Sequence, residues 1–234
     1  MKKVLEWTAG IAAAVFLMTV LLISCFEAAM YADFDFYRKE YEKYGVLSEL
    51  EMSMEDTMYV TREMMAYLRG ERENLSVMTT VGDKEQDFFN EQDRFHMGEV
   101  REMFLGGLAL RRYAAVLAVV CLLILMISKA DLLRILSRSY QIVLGVLAAA
   151  LLILGIAVAR DFNAVFTLFH EIFFDNDLWL FDPATDYMIR MLPEGLLFDF
   201  VLRIGGLFVA GLVVLLIVTI VFGRKSNNIS QTNE

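Results

Sequence analysis

Four long apolar runs leave this chain few ways to fold. They cover about residues 8–26, 104–128, 141–159 and 200–222, each near or above the roughly 17–20 residues that cross a hydrocarbon core. A membrane supplies no water for stray backbone groups, so each run must bond within itself as a helix. A length of 234 residues would otherwise suggest one or two soluble domains, but 58% of the residues are hydrophobic and only two are proline. The expected class is mainly α: a polytopic membrane protein with four transmembrane helices and an extracytoplasmic, mostly helical cap.

Basic residues near the helix ends set the expected topology. Lys2 and Lys3 precede the first run, Lys129, Arg134 and Arg138 separate the second from the third, and Arg224 and Lys225 follow the fourth. One orientation places all of these on the cytoplasmic face, with both termini inside. Of 30 acidic residues, only Glu6, Asp131 and Glu234 then lie on that face. The outer face is strongly acidic, which argues against nucleic acid as a partner. The expected divisions are a first transmembrane helix over 1–28, a cap over 29–103 and a second helix over 104–128. A cytoplasmic loop over 129–140 and a third helix over 141–159 follow. An interfacial outer loop over 160–199, a fourth helix over 200–223 and a cytoplasmic tail over 224–234 complete the chain.

Leu22-Ile23-Ser24-Cys25 resembles a lipobox at the end of a basic-start apolar segment. The run is longer than the roughly 7–15 residues of a signal-peptide core, which favours a retained anchor. The two cysteines, Cys25 and Cys121, both lie in apolar runs, so the outer segments carry no disulfide framework.

In the cap, Ser53-Met54-Glu55-Asp56 reads as a capping box, and Met54, Met58, Met65 and Leu68 recur at helical spacing before Gly70. A helix over 54–69 is expected, with its methionine stripe in a core. Residues 75–81, LSVMTTV, are β-prone and precede a Gly82-Asp83 turn, which allows a small strand pair. Asn90 opens a further helix with Asp93 as its reciprocal cap, and His96 lies on it. Residues three and four apart are neighbours on a helix, so Asp93, Glu99 and Val100 flank His96. A neighbouring carboxylate fixes the tautomer of an imidazole. On this helix alone, His96 reads more simply as a surface histidine among acids.

The second of the two histidines, His170, falls in FHEIFFDNDLWLFDP (169–183). Phe162, Phe166, Phe169, Phe173 and Phe174 recur at roughly helical spacing, as in a helix lying at the membrane interface. Trp179 and Tyr187 suit that depth. Pro183 and Pro193, the only prolines, imply a shaped loop. Arg111, Arg112 and Arg203 sit in or beside apolar runs, where charge is costly; they read either as contacts to an oxyanion or phosphate or as side chains reaching to headgroups.

GxSxG, HExxH and P-loop patterns are absent, and no cysteine–histidine cluster points to zinc. No metal and no cofactor are expected. Imidazole acid–base chemistry at a lipid interface remains. FNEQDRFHMGEV (89–100) and FHEIFFDNDLWLFDPATDYMIRMLPE (169–194) resemble the two signature blocks of the lipoprotein intramolecular transacylases, bacterial four-helix membrane proteins. The first block departs from the family in its acids, with a glutamate there near the place of Asp93 and an aspartate at that of Glu99.

The resemblance implies a substrate lipoprotein whose N-terminal cysteine carries a diacylglyceryl thioether and a free α-amine. The sn-2 acyl chain would move onto that amine and leave an N-acylated lyso-form. His96 and His170 match the family's two essential histidines. Asp93, Glu99 and Asp177 are expected to orient the rings, Asn176 or Arg111 to donate to an oxyanion, and His170 to act as base. The enzyme would lie in the bacterial plasma membrane, in contact with its lipid, with its site at the outer leaflet. The same residues admit two rivals: a membrane lipase or hydrolase, and a non-enzymatic sensor or assembly protein.

Overall fold

Helices account for most of the computed structural model, which describes the backbone of residues 1–232 and the side chains through residue 221. The cytoplasmic tail expected over 224–234, with Arg224 and Lys225, therefore has no described side chains. In chain order the elements are α1 (Lys2–Tyr31), α2 (Asp35–Lys43), α3 (Val46–Leu50), α4 (Met54–Leu68), β1 (Met78–Val81) and β2 (Lys84–Asp87). There follow α5 (Glu91–Ile127), α6 (Leu132–Arg160), α7 (Phe162–Phe173), α8 (Tyr187–Met191) and α9 (Glu194–Thr232). Four of them, α1, α5, α6 and α9, are long and apolar enough to cross a membrane.

The chain divides into two compact units. The span unit comprises residues 1–26, 109–160 and 204–234, and the cap unit comprises 27–108 and 161–203. In the span unit, Ala14, Met18, Tyr140, Phe208 and Leu212 form a buried cluster, and the Tyr140 hydroxyl donates to the carbonyl of Leu212 at 2.7 Å. Small residues allow helices to approach closely where lipid offers no hydrophobic drive to pack. A Cβ on Gly10 would lie 2.5 Å from Ile135 Cγ2 and 2.6 Å from Ser139 Oγ. Gly211 meets Leu21 in the same way, whereas Gly205, Gly206 and Gly145 have open space around them. Gly10→Leu is accordingly expected to lower stability by about 1–3 kcal/mol through overpacking. Thermal unfolding in detergent should show a clear drop for Gly10→Leu and almost none for Gly145→Leu; equal shifts would contradict this packing.

The loop expected over 129–140 is shorter than the sequence suggests, because α5 ends at Ile127 and α6 starts at Leu132. Asp131 starts α6 early: its side chain accepts from the Arg134 N–H at 3.1 Å and its carbonyl from the Ile135 N–H at 2.9 Å. The apolar pattern could not reveal this extension, since Arg134 and Arg138 interrupt it.

In the cap unit, α4 follows its capping signal, with the Ser53 hydroxyl accepting from the Asp56 N–H at 3.1 Å. Met58, Met65 and Leu68 are buried as the stripe requires, in one core with Tyr37, Tyr41, Leu50, Phe88, Phe89 and Met191. Tyr41 and Thr61 share a buried 2.6 Å hydrogen bond. The β1–β2 hairpin is antiparallel, pairing Met78 with Asp87 and Val81 with Lys84, and Gly82 takes the positive φ of 60° that its turn needs.

Candidate active site

The two histidines come from distant parts of the chain and meet in the cap unit. His96 sits on the second turn of α5. The start of that helix is fixed by a reciprocal cap: the Asn90 side chain accepts from the Asp93 N–H at 2.9 Å, and the Asp93 carboxylate accepts from the Asn90 N–H at 2.9 Å. His170 sits in the last turn of α7, whose first turn is capped by Asp161 accepting from the Ala164 N–H at 2.9 Å. Helix α7 turns His170 inward and leaves Leu168, Ile172 and Phe173 exposed.

The two imidazoles stack with centroids 5.8 Å apart and planes 26° from parallel. Each is only 6% exposed. Aromatic rings enclose both: Phe174 and Phe181 lie 4.9 and 5.4 Å from His96, and Phe166 and Trp179 lie 4.2 and 4.8 Å from His170. The loop carrying Trp179 is held to α5 by Gln92, whose amide donates to the carbonyls of Leu178 and Leu180 at 3.0 and 3.1 Å.

Nδ1 of His170 lies 2.8 Å from the carbonyl oxygen of Phe166, one turn back on α7. A carbonyl oxygen only accepts, so Nδ1 carries the proton and Nε2 keeps its lone pair. This backbone group holds the ring in the way expected of Asp177, whose described contact is its carbonyl accepting from the Leu180 N–H at 3.1 Å. Burial pushes the His170 pKa down against that hydrogen bond. Burial, with His170 alongside, pushes His96 down to about 4. Both residues lie outside the apolar spans, since the cap unit takes in α5 as far as Leu108. Both rings are therefore neutral near neutral pH.

Asp93 is fully buried, and burial raises its carboxyl to about 6 despite the Asn90 N–H, with Asp186 adding to the rise. Asp93 Oδ1, His96 Nδ1 and Glu99 Oε2 are buried without a hydrogen-bond partner among the described residues. They recur every third residue along one side of α5, so Asp93 stands beside His96 without bonding to it. Glu99 Oε1 accepts from the Asn176 amide at 2.8 Å, which ties α5 to the loop after α7 and uses one of the two N–H groups of that amide.

Two other expected residues have partners of their own in the cap unit. Tyr187 packs on Phe88 at 5.8 Å. Arg203 donates to Asp33 at 3.2 Å and stands 4.3 Å over the Phe36 ring. Arg111 and Arg112 belong to the span unit. Among the described residues no group of three His, Cys, Asp or Glu is placed to hold a metal. Sequence reasoning missed the enclosing role of Phe174 and Phe181. It also missed Asp186, buried at 4% exposure, which accepts from the Asn90 amide and from the Asp182 N–H. The contacts of Phe174 and Phe181 with His96, and of Asp186 with Asn90, join residues too far apart in sequence for any spacing to signal them.

A sequence profile for the lipoprotein intramolecular transacylase Lit matches residues 11–196. No curated protein matches by sequence. Among solved structures, the in meso structure of the membrane integral lipoprotein intramolecular transacylase Lit from Bacillus cereus superposes with a TM-score of 0.75 at 18% identity, covering 97% of this chain and 98% of that one. A variant of the same protein with one histidine changed to alanine gives 0.72 at 18% identity, covering 95% of each chain. The shared fold is a mainly α, multi-pass membrane architecture.

Proposed function

Because this chain belongs to the lipoprotein intramolecular transacylase family, and so is an intramolecular acyltransferase, we propose that it moves the sn-2 acyl chain of a diacylglyceryl-cysteine lipoprotein onto that cysteine's α-amine. The observation that carries the reading is the stacked pair of buried, aromatic-enclosed imidazoles. The substrate binds at the outer leaflet, with both termini of the enzyme cytoplasmic. The basic residues at the inner helix ends and the exposed apolar side of α7 support that placement.

An α-ammonium with a pKa near ~8 cannot attack until it loses a proton. The unpartnered oxygens of Asp93 and Glu99 are acceptors suited to such a cation. The ammonium gives its first proton to solvent, and the lone pair on His170 Nε2 makes that ring the base for the second. The amine nitrogen bonds to the ester carbonyl carbon, and the bond from that carbon to the glycerol oxygen breaks. One N–H proton of the neutral amine passes to the base, and a proton reaches the departing oxygen through the paired ring of His96. The other N–H stays on the amide. The second N–H of Asn176 steadies the oxyanion that forms between these steps. An amide replaces an ester within one molecule, so no activated donor is needed and effective concentration favours transfer. The aromatic enclosure disfavours water, whose attack would release free fatty acid.

Purified enzyme incubated with a diacylglyceryl lipopeptide is expected to give an isobaric product whose fragments place one acyl group on nitrogen. Loss of one acyl mass would instead identify a hydrolase, and an unchanged fragment pattern would refute the assignment.

The lowered histidine pKa values also fix the pH response. A base with a depressed pKa keeps its lone pair at all pH values above that pKa, so protonation of the rings is shifted below the ordinary histidine value. The ammonium limits the rate at higher pH. kcat/KM is expected to rise from roughly pH 6 to 8 along the titration of the α-amine. Because Asp93 itself titrates at about 6, the contradicting result is an acid limb centred near ~6.5, the ordinary histidine value, that persists in Asp93→Asn.

A further inference from the structure

A second feature of the cap unit lies apart from the histidines. A groove of about 480 Å³ runs along the hairpin turn and α8, and its walls include Glu51, Asp83, Lys84, Gln86, Tyr187 and Arg190. The groove is built rather than incidental. The Gly82 N–H donates to the carbonyl of Glu51 at 2.9 Å, and the Gln86 amide donates to the Tyr187 hydroxyl at 3.0 Å. The Arg190 guanidinium lies 4.5 Å over the Tyr187 ring and donates to the carbonyl of Glu49 at 3.1 Å. Its Nε is buried without a hydrogen-bond partner among the described residues.

We propose that this groove binds the polypeptide part of the lipoprotein substrate, the residues that follow the lipidated cysteine; the inference rests on the transacylase reading. The walls mix donors (Lys84, Gln86, Arg190) with acceptors (Glu51, Asp83), which suits the alternating C=O and N–H groups of a peptide. A phosphate headgroup would face the two carboxylates as well as the cations, and an acyl chain would find a polar wall. The distance fits as well. The Phe181 ring is 5.4 Å from that of His96, and Ala184, three residues further on, lines the groove. Three residues span at most about 11 Å, so a peptide tail of about five extended residues leads from the imidazoles into the groove. The binding groups are generic to peptides, so tails of differing sequence are accepted.

The test is a ladder of diacylglyceryl-cysteine substrates carrying tails from zero to eight residues. With the wild-type enzyme, KM is expected to fall about tenfold as the tail lengthens to about five residues and then to level off. Lys84→Glu and Arg190→Leu should each reduce the ratio of the KM for the shortest substrate to that for the longest. The ratio is read within one preparation, so a partly misfolded variant does not imitate the effect. A wild-type KM independent of tail length would overturn the groove assignment, as would variants that keep the full ratio. Absence of N-acyl product at every length would refute the transacylase reading instead.

Discussion

His170→Gln is expected to slow N-acyl transfer by about 10²–10⁴-fold, the usual contribution of a positioned acid–base group. Glutamine keeps most of the imidazole's volume and its hydrogen-bonding capacity but cannot hold and release a proton. The Phe166 carbonyl and the surrounding rings should therefore still be covered, and the chain should stay folded. His96→Gln is expected to fall in the same range. The double variant should be little slower than either single one, because the stacked rings share one proton-transfer task. Initial rates of N-acyl product, together with a melting temperature for each variant, check this. A variant that is folded and within tenfold of wild type would remove its histidine from the chemistry.

The second large effect concerns stability. Tyr41 is fully buried in the cap core, near Tyr37 at 6.3 Å between ring centroids, with its hydroxyl bonded to Thr61. Tyr41→Ala should cost about 3–5 kcal/mol, through lost burial and the cavity left behind. Tyr41→Phe keeps the ring and removes only the hydrogen bond, so about 1 kcal/mol is expected. Thr61 also donates to the carbonyl of Thr57 at 2.8 Å, so its hydroxyl is not stranded in either variant. Thermal unfolding in detergent separates the two, and similar shifts would show that the tyrosine contributes by its hydroxyl alone.

Where the sequence speaks plainly, the cause is local. The four apolar runs show as helices because a membrane allows them little else. Ser53 and Asn90 mark helix starts because capping is settled within three residues. The extension of α6 back to Leu132 and the short helices α2 and α3 escaped notice for the opposite reason. Arginines break the apolar pattern of the first. The other two are short and bury Tyr37, Tyr41 and Leu50 against partners far along the chain.

The site shows the same division. Both histidines stood out by scarcity, Glu99 by its charge beside His96 and Asn176 by its position alone. Their mutual contact at 2.8 Å joins residues 77 apart, which no spacing rule connects. The ring of His170 answers to a backbone carbonyl, a group present at every residue and so invisible as a signal. Asp177, chosen for its carboxylate, has no described side-chain contact with that ring. The aromatic enclosure was legible only as interfacial phenylalanines, since a helical repeat says which side is apolar and not what it covers.

The most direct measurement follows acyl chains in a mixture of two diacylglyceryl lipopeptides, one with isotopically labelled sn-2 chains and a distinguishable peptide tail. If donor and acceptor belong to one molecule, every N-acylated product carries the label state of its own precursor, with its sn-2 position vacated. Labelled acyl groups appearing on the unlabelled peptide, or released as free fatty acid in step with turnover, would contradict the account.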